Sequence, residues 1–421
     1  MLTMRQKKAV TKELRDRYQR SSKKEKSVIL NGFIQLTEYN RCYACQVLNV
    51  KKEKVLGYLN IAGKRIKYIA DKGKIKRKKK KIYDQNVLVA LKEIWIICDY
   101  ICSKRLAPFL SEIIPALERW GEIKLNIKVR EKLFKISAAT IDRLLSDTRK
   151  RYRIKGRSTT RPGTLLKKSI PIRTFADWDE KVPGFFEVDL VSHDGGATRG
   201  DFNQSLNFTD ISTGWEEMVA VKNKAQVWVF AGIKDIKERL PFSILGIDSD
   251  NGAEFINAHL IRYCEEHEIT FTRSRPYRKN DSCFVEQKNW SVIRRAVGYA
   301  RYDTDKELSI LNKLYGYLRL YVNFFQPVRK LIKKERIGSK VTKRYDQAKT
   351  PYRRVLASPD IKEEIKVKLK NQYAMLNPAE LKRKITKLQN RLLKLNALKQ
   401  EVEKGLDKST KPLSSFEYIS T

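Results

Sequence analysis

The stretch GIDSDNGAEF, Gly246 to Phe255, sets two acids two residues apart at the end of an apolar run and then turns sharply. Ile244, Leu245 and Ile247 read as a short buried strand. Asp250-Asn251-Gly252 reads as a turn, with the glycine free to take positive φ. An acid at the carboxyl end of a buried strand has two common uses. It closes the turn through its own backbone, or it holds a metal at the open edge of an α/β sheet. The stretch alone leaves both open.

The surrounding sequence supplies a context. FFEVDLVS (185–192) alternates, with Phe186, Val188 and Leu190 on one face and Glu187, Asp189 and Val191 on the other. LNFTDIS and WEEMVAV read as two further strands of a meander. Lys224 to Leu240 reads as a helix, SILGID as a strand, Ala258 to His267 as a helix, ITFTRS as a strand and Asp281 to Tyr299 as a longer helix. The order β-β-β-α-β-α-β-α predicts a mixed sheet flanked by helices. Asp189 then lies in the middle of the first strand and Asp250 at the end of the fourth. Glu286 lies on the last helix, with 35 residues between it and Asp250. If the fourth strand sits beside the first, the two aspartates become neighbours, and a helix packed on that sheet can bring Glu286 to them.

Bulk properties point to a polyanionic partner. The 421 residues are 41% hydrophobic and 33% charged, with a net charge of +41. A chain this basic is expected on nucleic acid, and its length predicts several domains. The charge is uneven: residues 184–300 hold 14 Lys and Arg against 17 Asp and Glu, so the remainder carries +44. Basic arms suit phosphates, whereas a carboxylate-rich middle repels them unless cations intervene. There is no signal-peptide pattern and no apolar run of membrane-spanning length, which predicts an intracellular protein with reduced thiols. Cys42-x-x-Cys45 and Cys98-x3-Cys102 match no zinc-finger spacing, and the three histidines lie elsewhere (His193, His259, His267), so the cysteines read as small buried residues.

The flanks are helical and basic. Residues 1–70 contain an apolar helix from Val28 to Leu36, a turn at Thr37-Glu38-Tyr39 and a second helix from Asn40 to Leu48, a helix-turn-helix pattern with Arg41 and Tyr43 turned outward. A basic linker follows at 71–85, and Lys78 and Lys79 within it, with Arg41 and Tyr43 before it and Arg143 after it, are expected to contact DNA. Residues 86–148 repeat the theme in IKVREKLFKISAATIDRLL, with Ser137 as N-cap and Arg143 on the second helix. A second basic linker spans 149–183, the sheet-forming region 184–303, and a basic, mostly helical region 304–421 that is expected to bind DNA and serve assembly. In the last, Leu381, Ile385, Leu388, Leu392 and Leu395 predict a packed amphipathic helix.

Together, DNGAEF around Asp250, RSRPYRKNDSCFVEQKN around Glu286 and TDISTGWEEMVAV between the strands resemble the catalytic core of bacterial insertion-sequence transposases and retroviral integrases. The resemblance covers roughly 184–303. It implies a ribonuclease-H-like α/β fold with an Asp, Asp, Glu triad, here Asp189, Asp250 and Glu286. It also implies two Mg²⁺ per site, with Mn²⁺ able to substitute in vitro. The bacterial branch is favoured because all three histidines lie in the core, leaving no amino-terminal His, His, Cys, Cys zinc module.

What the resemblance implies is a DNA transposase that binds the inverted-repeat ends of its element. Water first frees a 3′-hydroxyl, which then attacks a target strand; two divalent cations would serve the attacking and leaving oxygens. The expected partners are double-stranded DNA, as element ends and target, and further copies of the chain, on the bacterial nucleoid in the cytoplasm. Arg275, Tyr277, Arg278 and Lys279 are expected to touch DNA near the scissile phosphate, with Lys288 on the following helix. Asn289 is read either as a DNA contact or as a packing amide. Asp248 is an alternative to Asp250; Asp210 and His193 read as structural. A catalytically inactive DNA-binding regulator is the alternative function.

Overall fold

The computed structural model describes residues 2–49, 55–61, 64–69, 82–151, 182–250, 252, 254–274, 283–337 and 340–409. The chain forms two compact units, Met1–Lys81 and Ile82–Thr421.

The first unit opens with α1 (Met4–Arg20), α2 (Lys23–Thr37) and α3 (Arg41–Leu48). Thr3 with Gln6 and Ser22 with Glu25 form capping boxes at α1 and α2, and Asn40 caps α3. Glu38 takes the left-handed conformation (φ 59°) and turns the chain from α2 into α3. The helix, short turn and helix read from the sequence are therefore present. Tyr18, Leu30, Phe33, Ala44 and Leu48 make this unit's own small core. An antiparallel hairpin follows, β1 (Val55–Ile61) with β2 (Lys64–Ile69).

The second unit begins with α4 (Gln85–Ile97), α5 (Ser103–Arg119), α6 (Ile127–Lys135) and α7 (Ala138–Arg151). Ser137 caps α7 as expected, its Oγ accepting from the Thr140 amide at 3.3 Å. The sheet strands are β3 (Phe185–Ser192), β4 (Gln204–Asp210), β5 (Glu216–Val221), β6 (Gly246–Ser249) and β7 (Thr270–Arg273), with α8 (Gln226–Arg239) and α9 (Ala258–Glu266) as crossovers. The sheet order is β5-β4-β3-β6-β7. The first three strands are antiparallel, and β6 and β7 run parallel to β3. This is the mixed, helix-flanked sheet expected from the sequence, with the fourth strand beside the first. Gly246 admits the close approach: a Cβ there would meet the Phe185 ring at 2.5 Å.

The helix after β7 is α10 (Cys283–Lys288), which continues as a π-helical segment (Asn289–Arg294) and a final turn, α11 (Arg295–Val297). Beyond it come α12 (Asp305–Phe325), a hairpin of β8 (Leu331–Ile337) and β9 (Lys340–Tyr345), α13 (Pro351–Ala357), α14 (Glu363–Met375) and α15 (Pro378–Ser409). Helix α12 lies on β5. Asn323 both donates to and accepts from the Glu216 backbone at 2.8 Å, and Asn312 does the same at Ala220. One hydrophobic core gathers Trp95 and Phe109 from the early helices, Phe208 from the sheet, and Phe324, Leu381 and Leu392 from the late ones. Charge composition separates these regions in the sequence, whereas their apolar faces join them in the fold. Helix α15 is the packed amphipathic helix that its leucine spacing predicts.

Among the described residues no helix is long and apolar enough to cross a membrane. Cys98 and Cys264 are buried free thiols, but Cys42 and Cys102 are exposed, contrary to the reading of all as buried. Cys102 is the N-cap of α5 and Cys42 lies in the first turn of α3, helix ends that face outward.

Candidate active site

Strand register brings the first two acids together. Phe185, Phe186, Glu187 and Val188 pair with Gly246, Ile247, Asp248 and Ser249, so the next step along both strands sets Asp250 beside Asp189. Asp189 is half-buried. Its Oδ1 accepts the Leu190 amide at 2.8 Å and its Oδ2 accepts the Asn289 amide at 2.6 Å. Asn289 in turn accepts from Asn207, which lies directly across from Asp189 on β4, at 2.8 Å. Burial pushes the Asp189 carboxyl up to about 8, helped by the negative charges of Asp250 and Glu286. Burial also raises Asp250. The Asp250 Oδ1 accepts the Gly252 amide at 2.9 Å. Asp250 thus closes the turn and also acts electrostatically on Asp189.

Glu286 is exposed on α10. The link from its helix to the sheet is Glu187, which the sequence reading did not single out. Glu187 is fully buried two residues before Asp189. Its Oε2 accepts the Val285 amide at 2.8 Å, at the amino-terminal end of α10. Burial holds this carboxyl well above the usual range, and Asp248 and Glu286 push it the same way. The helix amino-terminus supplies N–H donors and a positive dipole end. Two ties therefore bracket Glu286: Glu187 to residue 285, and Asp189 to residue 289. A signal for Glu187 was present, since the period of two sets it on the face of Asp189 in a central strand. An acid there needs a partner.

Asp248, the alternative to Asp250, is buried at the register step of Glu187, and its Oδ1 accepts the Thr272 hydroxyl of β7 at 2.6 Å. Asp210 accepts the Gly184 amide at 2.8 Å, the Thr213 amide at 2.7 Å and the Thr213 hydroxyl at 2.6 Å, and so closes the β4–β5 turn. Burial still raises it to about 6. His193 is buried, with Nε2 2.7 Å from the Ser205 hydroxyl, and burial lowers it to about 3. Both match the structural reading. Glu254 adds a fourth acid near Asp250: burial raises it first, and the Asp250 charge adds to this.

The expected DNA contacts divide. Lys288 is 8% exposed, and its ammonium lies 2.7 Å from the buried Glu216 carboxylate. This places it inside the protein instead of on a phosphate, because the helix turns it onto the sheet edge where Glu216 needs a counter-charge. Asn289 is likewise the packing amide. Arg41 is exposed and donates to Asn31 at 2.7 Å; Tyr43 is exposed and meets Tyr39 edge-on at 4.9 Å between ring centres. Arg143 is exposed on α7. Lys78, Lys79, Arg275, Tyr277, Arg278 and Lys279 lie outside the described residues.

The donor chemistry fits a hard divalent cation. Asp189, Asp250 and Glu286 offer only carboxylate oxygens, and their mutual repulsion, seen at Asp189, is what such an ion relieves. Among the described residues, however, no three His, Cys, Asp or Glu side chains stand together as a ready metal cage.

Over 339 residues the chain is 38% identical to "Uncharacterized protein y4rM" of Sinorhizobium fredii (strain NBRC 101917 / NGR234), spanning 80% of this chain and 92% of that protein. The chain belongs to the y4rM family. No family model matches it. Among solved structures, the catalytic core domain of BIV integrase is similar at 16% identity and a TM-score of 0.28, covering 45% of this chain and 97% of that one. The HTLV-2 integrase catalytic core in complex with magnesium is similar at 14% identity and a TM-score of 0.26, covering 35% and 91%. Scores this low add nothing to the strand order and the acids already described, on which the reading of this y4rM-family site rests.

Proposed function

We propose that this y4rM-family protein is a DNA transposase with a ribonuclease-H-like catalytic core. It binds the inverted-repeat ends of a mobile element, cleaves a strand and joins the freed 3′-hydroxyl to target DNA. The observation that carries the reading is the β3–β6 register, which continues to set Asp250 beside Asp189, with the Glu286 charge felt at the same carboxyl. Asp189, Asp250 and Glu286 would hold two Mg²⁺, which supply activation of the attacking oxygen and stabilisation of the leaving oxygen. Asn289, fixed by Asn207, holds the Asp189 carboxylate in one orientation. Glu187 anchors the helix of Glu286. The high net charge supports DNA as substrate, and the exposed Arg41, Tyr43 and Arg143 support end binding by the helical units. Because two ends must meet, the acting form is at least a dimer on DNA.

One observation favours a second reading, a DNA-binding regulator without catalysis: the three acids do not form a closed cage among the described residues. Strand transfer decides. The protein is mixed with a duplex carrying its element's end, a supercoiled target and Mg²⁺, beside Asp189→Asn and Glu286→Gln. Joined product from the unaltered protein and none from either variant is expected. End binding without nicking or joining, equal in all three, would leave only the regulator.

A further inference from the structure

The β8–β9 hairpin carries an arrangement that costs stability as it stands. Its register sets Lys333 opposite Arg344 and Lys334 opposite Lys343. These are adjacent steps of the backbone register. Like charges directly opposite one another destabilise a strand pair. Residues 331–345 hold six cations against one acid, Glu335, which pairs with Lys333 at 2.6 Å. Of the hairpin's described side chains all but Glu335 are exposed, Ile332 at 69% and Val341 at 43% among them. A two-stranded ribbon with both sides in water is marginal even without such repulsion.

The other hairpin of the same chain lacks this pattern. In β1–β2, Lys64, Arg65 and Lys67 pair with Ile61, Asn60 and Tyr58, and among the described residues no two cations oppose each other in the register of that ribbon. Opposed cations are therefore a property of β8–β9 and do not follow from the basic composition alone.

The hairpin's base is firmly held. Lys330 donates its backbone amide to Asp346 at 2.6 Å and its ammonium to the Ile211 carbonyl at 2.7 Å, in the turn after β4. Arg354 clamps Asp346 at 2.6 Å, and Val328 and Lys349 exchange backbone bonds at 2.8 and 3.1 Å. A rigid root thus presents a self-repelling ribbon to solvent.

We infer that the β8–β9 hairpin is a duplex-DNA-binding ribbon whose opposed cation pairs straddle backbone phosphates. The inference deepens the transposase reading and rests on it for the choice of DNA. A two-stranded ribbon matches the width of the major groove. A phosphate placed between opposed cations turns their repulsion into two attractions and releases counterions from the duplex. The ribbon is then stabilised by its ligand.

The test is the salt dependence of binding by the full chain to a fluorescent 30-base-pair duplex. The quadruple variant Lys333→Gln, Lys334→Gln, Lys343→Gln, Arg344→Gln is expected to bind at least tenfold more weakly. Its slope of log affinity against log salt should be shallower by about 2, near 0.9 for each of the two phosphates no longer held. Lys343→Glu guards against a folding defect. It replaces a repelling pair by an attracting one, so hydrogen exchange in the hairpin should slow while DNA affinity still falls. Unchanged affinity and slope in both variants would overturn the inference and leave the transposase reading standing. Loss of binding to a single-stranded RNA probe, with duplex DNA binding intact, would also overturn it. Failure of the unaltered protein to bind any duplex would remove the transposase reading itself.

Discussion

Removing the Lys288 ammonium while keeping its length, as Lys288→Met, isolates the interior of the site. The Lys288 side chain is 10% exposed and that of Glu216 is 0% exposed, with 2.7 Å between charges. At an effective dielectric near 20 their gross attraction is about 6 kcal/mol, much of it offset by the desolvation of both groups. Deleting one partner leaves the other buried and uncompensated, which costs about 3–5 kcal/mol. An exposed lysine would cost below about 1 kcal/mol. Burial already raises the Glu216 carboxyl, and Lys288 is the largest force lowering it. Without Lys288 its folded-state value rises further, so the variant's deficit grows once pH climbs past the folded value that Glu216 has beside Lys288, itself above the ordinary range, and is smaller at pH 5 than at pH 7.5. Adding Glu216→Gln removes the orphaned charge and should recover at least about 2 kcal/mol. Urea unfolding of the four proteins at both pH values measures this cycle. A Lys288→Met deficit below about 1 kcal/mol, together with a DNA salt slope shallower by about one unit, would refute the buried-pair account and return Lys288 to the phosphates.

Two further outcomes follow from neighbouring groups. Glu187→Ala should leave end-DNA affinity within about twofold yet raise the Mg²⁺ needed for half-maximal strand transfer about tenfold, as for a lost group that orients ligands, because Glu187 holds the Val285 amide beside Glu286. Glu187→Gln, which keeps an acceptor, should restore most of it, and equal Mg²⁺ curves for all three proteins would show that Glu187 only packs. His193 is held neutral to about pH 3, whereas an unfolded histidine takes a proton near 6.5. Its share of stability is therefore complete above pH 6.5 and is lost as pH falls toward 3, at about 1.4 kcal/mol per pH unit. Between pH 6 and 4.5 the advantage of the unaltered protein over His193→Gln should shrink by about 2 kcal/mol in urea midpoints, and parallel curves would contradict a buried neutral ring.

Much of this protein was legible in the order of its residues. Alternation in FFEVDLVS, the apolar run before Asp250 and the helical spacing around Glu286 fixed element types, because side-chain period is local geometry. The caps at Asn40 and Ser137 were legible for the same reason. Composition alone pointed to a polyanionic partner. Which polar side chains face inward was not legible. Lys288 looks like a surface residue in a basic chain, Asn289 reads either way, and the strand period at Glu187 names no partner; only the approach of α10 to β3 and β5 decides what each one meets. Regional charge also hid the union of the early helices, the sheet and α12–α15, since core membership depends on apolar faces meeting across a hundred residues or more. The opposed cations of β8–β9 follow from strand register, which the tertiary structure sets. The sequence determined the elements and the acids. The tertiary structure decided which charges share a dry interior, because burial and pairing exist only between segments distant along the chain.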